Sequence, residues 1–225
     1  MAEEDSVILS FGGSFLRKSD LDLLTSPNRI NDRLIGFCFE YFEREQFNHS
    51  ADRIALVSPS VAQFVIFASV EDLLVLLEPL HLPIKQYIFV PVSNNFDAQH
   101  VGKAQWSLLV YVRSKQEFQH YDAHRGTNQS WAKKLVDKLQ PFVQAPRSKL
   151  QFVEMDFPQQ ETISDSGVYV IALVEHLIKE FCECFSVSVN EVVNQEIVQH
   201  KRKQIQDLIQ ELSACDINFD HYLST

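Results

Sequence analysis

No stretch of this 225-residue chain approaches the roughly 20 apolar residues a bilayer-crossing helix requires, so a helical membrane span is excluded. The opening Met-Ala-Glu-Glu-Asp has no basic segment leading into an apolar one. A secretory leader is therefore not expected, and a cytoplasmic or nuclear protein is. Cysteine is scarce. The four, at 38, 182, 184 and 215, follow the spacing of neither a disulfide framework nor a zinc site. Cys182 and Cys184, one residue apart in an expected helix, point in different directions. Buried, reduced thiols of an intracellular protein are the reading that remains. No cluster of His, Asp or Glu has metal-ligand spacing, so neither metal nor cofactor is expected. Basic residues number 20 against 30 acidic ones, a net charge of −10. Phosphate repels such a surface, which argues against nucleic acid as a partner. A basic peptide or the basic face of another protein fits better, although acidity also serves plain solubility. Repeats, low-complexity tracts and linkers are all missing, so a single domain over 1–225, with its core at about 7–210, is expected to act as a monomer.

What is present suffices for a large core: 45% of the residues are hydrophobic and 17 are phenylalanine. Val7-Ile8-Leu9 reads as a short strand in an irregular N-terminal arm. After Asn31, the residues Leu34, Ile35, Cys38, Phe39, Phe42 and Phe47 make a roughly helical stripe opposite Glu40, Glu43, Arg44 and Glu45. Ser58-Pro59 opens a second helix, with a capping hydroxyl followed by proline in the first turn. A third runs from Val70 to Leu77 and ends before Pro79. Strands are expected at 87–92, 106–112, 117–121 and 150–155, the second and third joined by a turn over Arg113 to Gln116. Helix returns at 130–143 and again from Gly167, where Val168, Ile171, Ala172, Val174, Leu177, Ile178 and Phe181 form the broad apolar band of a buried helix. From Asn190 to Leu212 the pattern is amphipathic, more polar and more exposed, with the bases at 201–203 read as a solvated face. Helices, then a sheet, then helices give an α+β fold.

Four positions carry the chemistry: Gln105, Asp122, Gln160 and Ser166. Ser166 lies in Asp165-Ser166-Gly167, at the start of the apolar helix, where the helix dipole favours a developing negative charge. Gln160, six residues upstream in a loop, can offer an amide donor to an oxyanion. A cysteine protease needs a thiolate, a base, a group orienting the base, and such donors.

The order and local context of these residues resemble the Ulp/sentrin-specific protease family of ubiquitin-like-modifier peptidases (clan CE), nearest to its deneddylase branch. The resemblance rests on Asn31-Asp32-Arg33-Leu34-Ile35-Gly36-Phe37, Phe39-Glu40-Tyr41-Phe42, Leu77-Glu78-Pro79-Leu80 with Leu82-Pro83, Trp106-Ser107-Leu108-Leu109-Val110-Tyr111, His120-Tyr121-Asp122-Ala123-His124, and Gln160 through Gly167. It spans about residues 7 to 210. It implies a papain-like fold with a central mixed sheet flanked by helices, and a Nedd8-like ubiquitin-like modifier, free or conjugated, as partner. It places the family's base histidine on Gln105, its aspartate on Asp122, its oxyanion glutamine on Gln160 and its nucleophilic cysteine on Ser166. Of two tryptophans that close a tunnel over the modifier's Gly-Gly tail, one falls on Trp106 and the other near Arg29. Asp32 matches an acidic position that contacts the tail, and Asp165 joins the modifier-binding set.

Two of the four chemical positions thus carry the wrong groups. A serine hydroxyl is far less acidic than a thiol, and glutamine does not titrate. Losing base and nucleophile disables a cooperative unit. The expected outcome is a deneddylase-like protein that holds a modifier without efficient cleavage; the alternative is an active peptidase using Ser166 with another base. His100, in the loop before Gln105, is one candidate for that base. His120 and His124 are expected to support the site or simply to pack. Asp122, with no imidazole to orient, is expected to accept from the Gln105 amide, and Trp106 to lie open at the tunnel.

Overall fold

The computed structural model describes residues 5–25, 28–95, 104–144, 150–183 and 186–223, with side chains as far as 214. A five-stranded sheet forms the centre, in the order β3 (Ile54–Leu56), β4 (Tyr87–Ser93), β5 (Trp106–Val112), β6 (Glu117–Tyr121), β7 (Gln151–Glu154). The inner pairs β4–β5 and β5–β6 are antiparallel and the outer pairs are parallel, so the sheet is mixed. Side chains alternate across it as the pleat dictates. Leu108, Val110 and Val112 of β5 face one layer, built by α2 (Asp32–Tyr41), α6 (Ser166–Glu183) and α8 (Gln195–Leu223). Leu109 and Tyr111 face the other, built by α3 (Pro59–Phe67), α4 (Val70–Leu77) and α5 (Gln129–Val143). Every residue of β5 is buried, which explains why its sequence is apolar apart from Ser107.

Local chemistry fixes the helix starts. Asn31 caps α2 by accepting from Leu34 N, and Ser58 caps α3 by accepting from Val61 N ahead of Pro59. Ser69 and Asp72 bond reciprocally at the start of α4. The expected stripe from Leu34 to Phe47 is buried throughout. Helix α2 nonetheless ends at Tyr41, and a π turn over Phe42–Gln46 carries Phe47 inward. The N-terminal arm is a hairpin of β1 (Val7–Phe11) and β2 (Ser14–Arg17), followed by α1 (Lys18–Asp22). Its turn needs Gly12, at φ +57°, where a Cβ would lie 1.9 Å from the Glu40 carboxylate.

Three features differ from the sequence reading. The strand β3 was not expected: three residues are too few for alternation to show, and all three are buried. Arg113 is more than a polar turn residue. Its guanidinium donates to the carbonyls of Lys85, Leu82 and Val143 and ties the hairpin to two neighbouring segments. The third difference is α8, expected to be peripheral. Val198, Arg202, Ile205 and Ile209 recur at helical spacing and are buried against α6 and β1. A short α7 (Val189–Val192) precedes it. Cys38 is a buried free thiol whose pKa burial pushes up to about 12. Cys182 is half-buried and free, while Cys184 and the side chain of Cys215 lie outside the described residues.

Candidate functional site

The sequence-predicted residues converge where the start of β5, the end of β6 and the start of α6 meet. Ser166 is the first residue of α6, and Asp165 O accepts from Val168 N and Tyr169 N at its opening. Ser166 Oγ accepts from Trp106 N at 3.1 Å, which ties the helix start to the first residue of β5. Gln105, one residue earlier, is held on several sides: its N donates to Asn94 Oδ1, its O accepts from Asn128 Nδ2, and its side-chain Nε2 donates to Ile163 O at 3.0 Å. Gln160 Nε2 donates to Gln105 Oε1 at 3.1 Å, and Gln160 N donates to Ala123 O. Asn128 then links Gln105 to Asp122, whose Oδ2 accepts from Asn128 N and whose Oδ1 accepts from His124 N.

This geometry corrects several expectations. Asp122 does not accept from the Gln105 amide; backbone N–H groups occupy both of its oxygens. Burial raises its pKa above the ordinary carboxylate value, against the lowering effect of those same hydrogen bonds. Trp106 is only 7% exposed rather than open, and its indole N–H has no hydrogen-bond partner among the described residues. Asp165 is 1% exposed and faces inward, where Arg202, Thr162, Gln195 and Gln199 donate to it. Those partners outweigh the effect of burial and hold its pKa below the ordinary value. Its carboxylate therefore braces α8 against the site and is closed to a binding partner. Arg202, one of the bases read as solvated, is 3% exposed. Its fork donates to Asp165 Oδ1 at 2.7 and 3.0 Å and to the carbonyls of Leu23, Asn28 and Ser164. The arm leading to Arg29 is thereby fastened to the Ser166 loop. Sequence reasoning missed Asn94, Asn128 and Arg202. Only Arg202 left a signal, falling in the buried phase of α8 between Val198 and Ile205.

Arg29 and Asp32 do flank Trp106. Together with Ile30, Asn31, Ser93 and Trp106 they line a cavity of about 300 Å³. Ile30 is buried against the helix start so closely that a Cβ on Gly167 would lie 2.5 Å from its Cγ1. None of the histidines among the described residues reaches Ser166. His120 is fully buried in the sheet, bonded to Ser107 Oγ at 2.9 Å and to the Glu154 carboxylate. His124 is bonded to Thr127 Oγ1. His100 lies outside the described residues.

Among the described residues no titratable group contacts Ser166 Oγ, and the amide at the base position is bonded on both its nitrogen and its oxygen. Trp106 Nε1, Asn128 Oδ1 and Gln160 Oε1 are buried with no hydrogen-bond partner among the described residues.

A mixed sheet between helical layers, with the nucleophile position opening the central helix, defines the papain-like α+β class of cysteine-protease folds. The Ulp1 protease family, C-terminal catalytic domain, matches residues 78–217, and the chain belongs to that family. It is 39% identical over 210 residues to human sentrin-specific protease 8, covering 93% of this chain and 99% of that protein. It is 32% identical over 221 residues to Arabidopsis thaliana NEDD8-specific protease 1, covering 94% and 96%. Among solved structures, the yeast Ulp1 protease domain in complex with Smt3 superposes with a TM-score of 0.72 at 14% identity, covering 94% of this chain and 90% of that one. At that identity the likeness shows the fold alone.

Proposed function

We propose that this chain is a deneddylase-like pseudoprotease: it binds a ubiquitin-like modifier of the Nedd8 type, free or conjugated, and does not efficiently cleave it. One observation carries the reading. The hydroxyl at the nucleophile position receives a backbone N–H and contacts no base among the described residues, while the amide at the base position is fixed by Ile163 and Gln160. A serine hydroxyl without a proton acceptor is not a nucleophile at neutral pH. A cavity beside Trp106 with Asp32 at its wall supports the binding half of the reading. Arg29 alters that cavity, because a cation stands where the family has an aromatic ring and opposes a basic tail.

The protein would be titrated calorimetrically with Nedd8, SUMO and ubiquitin and incubated with a fluorogenic C-terminal amide of each. Affinity for one modifier with turnover at background supports the proposal. Turnover that vanishes in Ser166→Ala overturns it and establishes the second reading, an active modifier peptidase. That reading is favoured by the relatives, which at 39% and 32% identity carry protease names.

A further inference from the structure

The surface formed by the end of α3, by α4 and by the last turn of α5 plays no part in the candidate site. Helix α4 carries apolar residues on its exposed side as well as on its buried one. Leu73 and Leu77 are buried, yet Val70, Leu74 and Val75 are 63%, 59% and 75% exposed. Phe67, at the end of α3, is 66% exposed. Val70, Leu74, Val75 and Leu77 border a groove of about 650 Å³ that Pro83, Pro141 and Phe142 also line. Single exposed apolar residues are ordinary, but a contiguous set beside a groove marks an interaction surface. No residue lines both this groove and the cavity beside Trp106, so a partner here need not block modifier binding.

Charge decides the occupant. From Ile54 to Ile84 the chain has no lysine or arginine, while Glu71, Asp72 and Glu78 are all exposed. Lys138 of α5 is tied back to the Ala68 carbonyl, and His81 lies at the groove edge. A second copy pairing through this face would set Glu71 and Glu78 against the same acids, and an anionic membrane would be repelled. An apolar groove with an acidic border accepts an amphipathic helix whose leucine-type residues repeat at i, i+3, i+4 and i+7 and whose other face is basic.

We propose that the α4–α5 groove is a docking site for a basic amphipathic helix of a partner protein, separate from the modifier site. The test uses the full chain and two synthetic helices of about 18 residues. Both carry leucine at the helical spacing, one with lysine and the other with glutamate elsewhere. Binding is followed by fluorescence anisotropy, and amide shifts of the labelled protein map the contact. The lysine helix is expected to bind at least tenfold more tightly, with shifts confined to the segments around 67–84 and 141–144. Leu74→Asp, exposed enough to leave folding intact, should weaken binding about tenfold without changing Tm or modifier affinity. Equal binding of the two peptides, shifts elsewhere, or indifference to Leu74→Asp would overturn the proposal. So would self-association in sedimentation equilibrium that Leu74→Asp abolishes, since the occupant would then be a second copy.

Discussion

Replacing Arg202 with Met tests how the site is held together. The guanidinium and the Asp165 carboxylate are 3% and 1% exposed and lie 2.7 Å apart. Removing one partner of a buried pair typically costs about 3–5 kcal/mol, because the remaining charge is uncompensated. Here the carbonyls of Leu23, Asn28 and Ser164 also lose their donor. In a domain of this size each kcal/mol moves Tm by roughly 2–4 °C, so Arg202→Met should lower Tm by on the order of 10 °C in scanning calorimetry. Arg202→Lys should recover only part of this, since one ammonium cannot reproduce the planar fork. The pH dependence adds a stricter check. In the wild type, Asp165 has a pKa below its ordinary value, so it stabilises the fold at neutral pH and loses that contribution as pH falls through the lowered pKa. Without Arg202 the effect of burial is less opposed, the pKa rises, and protonation relieves the uncompensated charge. The stability gap between variant and wild type should therefore narrow towards pH 4. A loss under about 1 kcal/mol, or a gap unchanged with pH, would refute the idea that Arg202 and Asp165 act as one buried unit.

Restoring the two lost groups should be strongly non-additive: Ser166→Cys or Gln105→His alone leaves turnover near background, whereas the pair raises it by orders of magnitude in the fluorogenic assay. Gly167→Ala should cost about 1–3 kcal/mol in denaturant unfolding because its Cβ meets Ile30, and adding Ile30→Val should recover part of that. Glu175 is half-buried, which raises its pKa, yet Lys201 and Lys179 hold the value down at about 2. Roughly 3 kcal/mol of stability should be present above the unfolded value and lost as pH falls towards 2, and Glu175→Gln should flatten that acid limb. Arg29→Trp should tighten modifier binding, measured by calorimetry, by returning an apolar wall to the cavity.

Much of the architecture was legible because it depends on local chemistry. Asn31 and the Ser58-Pro59 pair marked helix starts, and the largely apolar run at 106–112 announced a strand. The glutamine at 105 and the serine at 166 could be read directly, while the resemblance to the Ulp/sentrin-specific protease family supplied the expectation of an imidazole and a thiol there. The three-residue β3 escaped notice because its burial comes from β4 beside it, and periodicity cannot register over so short a run.

The covalent chain alone determined which reactive groups the centre contains, and so what it can ionise. Only tertiary structure decided what those groups touch. It turned Asp122 towards backbone N–H groups instead of Gln105, drew Arg202 out of an apparently solvated helix to clamp Asp165, covered the Trp106 ring, and left the apolar side of α4 outside. Hydrogen-bond partners and burial are set by segments distant in sequence, as Arg202 meeting Leu23 shows, and the pattern of either segment by itself holds no record of the other.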